Sequence, residues 1–274
     1  MDQLLDFADP RLINGCVFCG SRETEPTRDH VPSRVLLDPP FPANLPVVDA
    51  CHECNNGLSL DEEYLACLLD CTIAGSTEPD RMSREVVRKI LGRKPELRDR
   101  IERSRRISGD RAHFMPEVTR VNNVVRKLAR GHAAFELSTP MRREPDVLRW
   151  WALPSMDRHQ LEDFDAAHVH HLVGEIGSRA TQRIMVVPVM SHSLEGEPIM
   201  APLLVSDWVK VQEGRYRYLA VDDVGGSRIK IVIGEYLACE VIWSWNHEQC
   251  VENTASGVDA RRDLDAQLEL WPKA

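Results

Sequence analysis

Two Cys-x-x-Cys pairs, Cys16/Cys19 and Cys51/Cys54, stand 31 residues apart near the start of the chain. Each pair offers two thiolates from one tight turn, and four thiolates complete the closed tetrahedral shell that a structural zinc ion prefers. Gly20 and Gly57 follow the pairs and suit the sharp backbone turns of such knuckles. A zinc ion held by Cys16, Cys19, Cys51 and Cys54 therefore forces the chain between them into a closed loop. That loop is rich in proline, with Pro26, Pro32, Pro39, Pro40, Pro42 and Pro46, and has no long helical period. It reads as knuckles, a hairpin and an irregular loop.

The knot is a small part of a chain of 274 residues, which is long enough to bury a substantial core. The remaining cysteines, Cys67, Cys71, Cys239 and Cys250, fall in element-like sequence and read as buried reduced thiols. No apolar run is long enough to span a bilayer, and the acidic N-terminus does not resemble a secretory signal. A cytoplasmic location is the expectation, with the thiols free to bind zinc.

Net charge is −9, so nucleic acid cannot be bound by the whole surface, and any such contact must be local. Between Arg84 and Arg106 there are ten Lys or Arg against four acids, a local balance of +6. Arg98, Arg100, Arg103 and Arg105 are the candidate phosphate contacts there. The competing reading is a solvated pair of helices with ion pairs such as Glu85 to Lys89 and Asp99 to Arg103.

Hydrophobic periodicity organises the rest. Helices are expected from Ser59, with the serine as cap, to Gly75; from Met82 to Leu91; from Glu96 to Ile107; and from about Glu117 to Leu137. After Pro140 the composition changes to branched and aromatic runs, at 183–189, 203–209, 214–219, 229–233 and 237–244, which read as antiparallel strands. From about residue 254 a polar surface helix or tail is expected. The fold class is α+β, in three stretches: 1–75 with the zinc, 76–139 helical and basic, and 140–274 a β-rich α+β region.

Between the cysteine pairs lie Asp29-His30-Val31-Pro32 and Asn44-Leu45, and Asn55 directly follows Cys54. In this order the elements resemble the HNH endonucleases, over about residues 14–58. The resemblance implies a ββα-metal, treble-clef core hydrolysing DNA phosphodiesters. It makes His30 the general base, Asp29 and Asn55 the holders of a divalent cation such as Mg²⁺, and Asn44 the brace of the loop that orients His30. The third motif position is commonly histidine and here is Asn55, a competent oxygen ligand for Mg²⁺. An imidazole with a pKa of about 6.5 can accept a proton from water near neutrality.

Each of these side chains also has an ordinary role: a turn cap for Asp29, an Asx-turn for Asn44, a hydrogen-bonded loop side chain for His30. The alternative function is a non-catalytic zinc-binding treble-clef module that binds nucleic acid or a protein partner. DNA is the expected partner, RNA stays open, and a protein partner or a second copy is compatible with the acidic charge. His168-Val-His170-His171 could suggest a second metal site, His168 and His170 sharing one face of a strand, but the only acids of suitable spacing are Asp163, Asp165 and Glu175, and a core or interface role accounts for the histidines better. Trp150, Trp151, Trp208, Trp243 and Trp245 could stack on bases, but core packing of a β-rich body accounts for them better.

Overall fold

A computed structural model describes residues 4–22, 26–108, 111–192 and 197–245. Strands β1 (Thr27–His30) and β2 (Val47–Ala50) pair antiparallel, with Thr27 opposite Ala50 and His30 opposite Val47. The Val17 N–H donates to the Asp49 carbonyl, which fastens the first cysteine knuckle to β2. Helix α1 (His52–Asn56) starts directly after β2, and the Cys51 sulfur accepts the Cys54 N–H at its N-terminus.

Helix α2 (Ser59–Ala74) begins one residue after Leu58, so Ser59 lies inside the helix rather than capping it. Gly75 ends it in the left-handed conformation, φ 62°, which glycine adopts without a Cβ penalty. Every side chain from Tyr64 to Cys71 is buried, because helices pack on more than one side of α2. Helices α3 (Glu85–Arg93) and α4 (Pro95–Arg103) follow, separated only by Lys94.

The α4 helix was expected to reach Ile107 and stops at Arg103. Ser104 turns its hydroxyl onto the Ile101 carbonyl, competing with the helical bond. Ile107 is six residues from the buried Ile101, off the helical face, and joins strand β3 (Arg105–Ser108), which pairs with β4 (Arg111–Phe114). That hairpin was not legible as two strands.

Helix α5 (Val118–Leu137) is the centre of the molecule, packing on α2, on β2 and on the main sheet. A Cβ on Gly131 would lie 2.6 Å from a Val31 methyl, so glycine is what lets α5 approach the segment leaving His30. Beyond it come β5 (Val147–Ala152), α6 (Arg158–Asp165), β6 (His168–Val169) and α7 (Arg179–Gln182). They are followed by β7 (Met185–His192), β8 (Pro198–Ser206), β9 (Val209–Gln212), β10 (Tyr216–Asp223), β11 (Gly226–Ile233) and β12 (Leu237–Ser244).

The main sheet has the order β5-β12-β11-β10-β9 and a smaller one the order β6-β8-β7, both antiparallel as expected. One expected strand, 203–209, divides between β8 and β9 at Asp207-Trp208, and β5 was not foreseen. The largest core joins Leu36, Leu37 and Leu45 to α2, α5 and the inner face of the main sheet. Trp150 and Trp243 are buried there, their indole N–H groups donating to Asn122 Oδ1 and the Arg143 carbonyl. Trp151 and Trp208 pack with Phe164 on the sheet's other face. Core packing is thus the role of four tryptophans; Trp245 is exposed. Cys67, Cys71 and Cys239 are buried free thiols, while Cys250 and the polar tail lie outside the described residues.

Candidate functional site

Because β1 and β2 bring the two knuckles together, the sulfurs of Cys16, Cys19, Cys51 and Cys54 all lie within 4.8 Å of one another. Cys19 and Cys51 have sulfurs 3.7 Å apart. Two ligands at about 2.3 Å from one tetrahedral zinc ion stand about 3.8 Å apart, so the cluster fits zinc without rearrangement. Four thiols this close would repel as bare thiolates, and a dication removes that cost.

His30 closes β1, half-buried, with Nδ1 buried and without a hydrogen-bond partner. Burial holds its pKa below the usual imidazole value, and the nearby cations Arg34 and Arg28 push the same way against Asp29. The ring is therefore neutral at pH 7, the state a proton acceptor needs. Both arginines are exposed, and Arg34 also lies over the Phe41 ring. They sit two and four residues from His30, yet the charge count that singled out 84–106 passed over them.

Asn55 reaches back from α1 to β1, its amide nitrogen donating to Thr27 Oγ1 at 2.9 Å and more weakly to the Arg28 carbonyl at 3.4 Å. Asn44 is exposed in the loop three residues before Val47, the partner of His30 across the hairpin. The hairpin and α1 thus bring Asp29 and the Asn55 carbonyl to one ammonium, Lys127, beside Cys19 and Cys54, while His30, the next residue along β1, takes the strand's other face.

Asp29 is the residue expected to hold a divalent cation. It is only 6% exposed, and its Oδ2 lies 3.0 Å from the Lys127 ammonium of α5. The same ammonium meets Glu62 Oε1 at 2.9 Å and the Asn55 carbonyl at 3.2 Å. Burial works against the Lys127 charge, but Glu62 and Asp29 outweigh it and hold its pKa above the ordinary lysine value. Burial in turn pushes the Asp29 and Glu62 carboxyls up, with Lys127 offsetting part of the shift. Mg²⁺ needs several hard oxygen ligands in near-octahedral array. A carboxylate already facing a buried ammonium does not fit that requirement as the side chains stand, whereas Asn55 binds β1 through its amide nitrogen and not through its amide oxygen. Lys127 and Glu62 were missed because no sequence spacing links them to residues 14–58.

A cleft of about 430 Å³ opens beside the cluster, lined by Phe18, Cys19 and Cys54 and by Arg126, Lys127 and Arg130 of α5. Arg126 and Arg130 share Glu144 as counter-ion at 2.8 and 3.0 Å. By contrast, the proposed phosphate contacts on α4 and β3 are partly engaged. Arg105 pairs with Glu102 at 3.1 Å, Arg100 lies 3.8 Å from Glu117, and Arg103 bonds the Asp99 carbonyl rather than its carboxylate. Arg98 is half-buried. Glu85 and Lys89 form the intrahelical pair at 2.6 Å. Arg84 from the same basic run is buried, bonded to Asp38 and to the carbonyls of Val35 and Leu37, and is a structural group.

No helix among the described residues is long and apolar enough to cross a membrane. Comparison with family models, with curated proteins and with solved structures found no match.

Proposed function

We propose that the chain is a phosphodiester hydrolase acting on DNA, with residues 14–58 forming an HNH-type treble-clef site stapled by zinc. What carries the reading is His30: a neutral imidazole with an unpartnered buried nitrogen, flanked by two exposed arginines and mounted on a hairpin next to four clustered cysteines. His30 accepts the proton of the attacking water. Arg28 and Arg34 hold the phosphate against it, a placement that sequence proximity and their effect on the imidazole both favour. Asn55 ties α1 to β1, keeping the hairpin and the zinc knot in fixed relation. The cysteines must remain thiolates, which goes with a reducing, cytoplasmic setting.

No step is assigned to Mg²⁺, because Lys127 holds the place beside Asp29. The burial of Asp29 favours a second reading, a non-catalytic zinc module that binds nucleic acid or protein. One experiment separates the two. Purified protein is incubated with plasmid, linear duplex, single-stranded DNA and RNA, with and without added Mg²⁺ or Mn²⁺. Cleavage that disappears in His30→Ala supports hydrolysis; cleavage that survives it removes His30 from the mechanism. Absence of cleavage under every ion leaves the binding module.

A further inference from the structure

His168 and His170 project from one side of β6 and its continuation, as their spacing of two requires. Neither Asp163, Asp165 nor Glu175 joins them. The acid that does is Asp223, 53 residues beyond His170 at the end of β10. His168 Nε2 lies 2.8 Å from Asp223 Oδ2, and the two imidazole rings meet edge to face with centroids 4.8 Å apart. One donor atom from each of the three residues falls within 4.8 Å of the others.

The surroundings hold these groups in place. Asp223 Oδ1 accepts the N–H groups of His171, Leu172 and Val224 at 3.1, 2.8 and 2.8 Å, the first of them shared with Oδ2 at 3.2 Å, which fixes the carboxylate with Oδ2 toward His168. His170 has Nε2 on the buried Ser206 hydroxyl at 2.7 Å, while its Nδ1 is buried with no hydrogen-bond partner. An imidazole with one nitrogen oriented by a neighbour and the other unsatisfied is how a metal-ligating histidine is commonly prepared. His171 Nδ1 is 3.5 Å from the same Asp223 oxygen, on a side chain that is 74% exposed.

We propose that His168, His170 and Asp223 form a second metal centre, separate from the cysteine knot, that takes Zn²⁺ or a similar divalent transition ion, with His171 available as fourth ligand. Two imidazoles and a carboxylate suit Zn²⁺, Fe²⁺ or Ni²⁺, whereas Mg²⁺ and Ca²⁺ prefer all-oxygen sites. The 2.8 Å separation of His168 and Asp223 is a hydrogen bond, and it need open by only about 0.6 Å to reach the about 3.4 Å between adjacent donors that each sit about 2.1 Å from one tetrahedral ion. Its ligands come from β6, which pairs with β8 in the smaller sheet, and from β10 in the main sheet. The ion would fasten one sheet to the other. Nothing in this proposal depends on the hydrolase reading.

Metal content decides it. Wild type dialysed against Zn²⁺ should hold two ions per chain, and a His168→Gln/His170→Gln double variant one. Loaded with Co²⁺, the wild type should show thiolate charge-transfer bands from the cysteine knot plus d–d bands of a nitrogen-oxygen site, and the double variant should lose only the second contribution. One ion per wild-type chain at saturating Zn²⁺, or two ions in the double variant, overturns the proposal. Should the double variant fail to fold, the imidazole ¹⁵N resonances of His168 and His170 in wild type decide instead. They shift on Zn²⁺ titration if the site is real, and unmoved resonances overturn it.

Discussion

Lys127 Nζ of α5 stands 3.0 Å from Oδ2 of Asp29, the residue immediately before the proposed general base. With Glu62 at 2.9 Å, the ammonium is shared by two carboxylates that are themselves nearly inaccessible. The hairpin carrying His30 is therefore anchored electrostatically to α2 and α5. Removing one partner of a buried ion pair leaves uncompensated charge, typically at a cost of about 3–5 kcal/mol. Lys127→Met should lose about that much stability in urea unfolding at pH 7. Because burial already raises the Asp29 and Glu62 carboxyls, protonation relieves the uncompensated charge, and the deficit should shrink as pH falls. In this variant the two carboxylates are left without their ammonium, so added Mg²⁺ should recover part of the lost stability and have little effect on wild type. A variant as stable as wild type at pH 7 would show that the triad does not anchor the hairpin.

His30 sets the second expectation. Its pKa is held below the usual imidazole value, first by burial and then by Arg34. The base is inactive when protonated, so the acid limb of the kcat/KM profile should lie below about pH 6.5. Arg34→Ala removes a cation that favours the neutral ring and should move that limb upward. A limb that stays in place would mean that the titrating group is not His30.

For the cysteine knot, Cys51→Ser removes one of four ligands. Zinc bound by a folded knot contributes folding free energy, so the variant should lose zinc and melt at lower temperature. Atomic absorption and a thermal scan read both; unchanged metal content dismisses the knot.

A buried histidine outside the site predicts the acid limit of the fold. His132 of α5 is fully buried, stacked on Tyr218 with ring centroids 3.8 Å apart, and shares a 2.8 Å hydrogen bond with the Tyr216 hydroxyl. Burial lowers its pKa to about 3, so it stays neutral in the fold while the unfolded chain takes up a proton near pH 6.5. Stability from this group is complete above about pH 6.5 and falls as pH drops from there toward 3. The urea midpoint should decline across that window, and less steeply in His132→Gln.

Local spacing made part of this molecule legible. The cysteine pairs, the Gly75 stop and the apolar repeat of α5 each act within a few residues, so the chain itself displays them. The Asp29–Lys127 pair spans 98 positions and exists only because Gly131 lets α5 come close to Val31. Asp223 reaches the histidines of β6 only through the packing of two sheets. Arg84 looked like a surface charge because its partners Asp38, Val35 and Leu37 lie more than forty residues away. The hairpin β3–β4 was hidden by a run of arginines that favours helix and surface equally.

On the proposed function, where nucleic acid would lie on the protein follows from which cations are free to meet it. Arg100, Arg103 and Arg105 are partly occupied by neighbours and Arg98 is half-buried, whereas Arg28 and Arg34 are exposed beside His30 and no counter-ion lies within ion-pair distance of either among the described residues. Each phosphate neutralised contributes close to one unit to the slope of log K against log salt. Charge reversal of Arg28 and Arg34 should therefore flatten the slope for DNA binding by about two and abolish cleavage. The same change at Arg98, Arg100, Arg103 and Arg105 should flatten it less per residue and leave the cleavage rate at saturating DNA near wild type. Fluorescence anisotropy from low to moderate salt measures both. Equal slopes for the Arg28/Arg34 variant and wild type would move the nucleic-acid path away from His30.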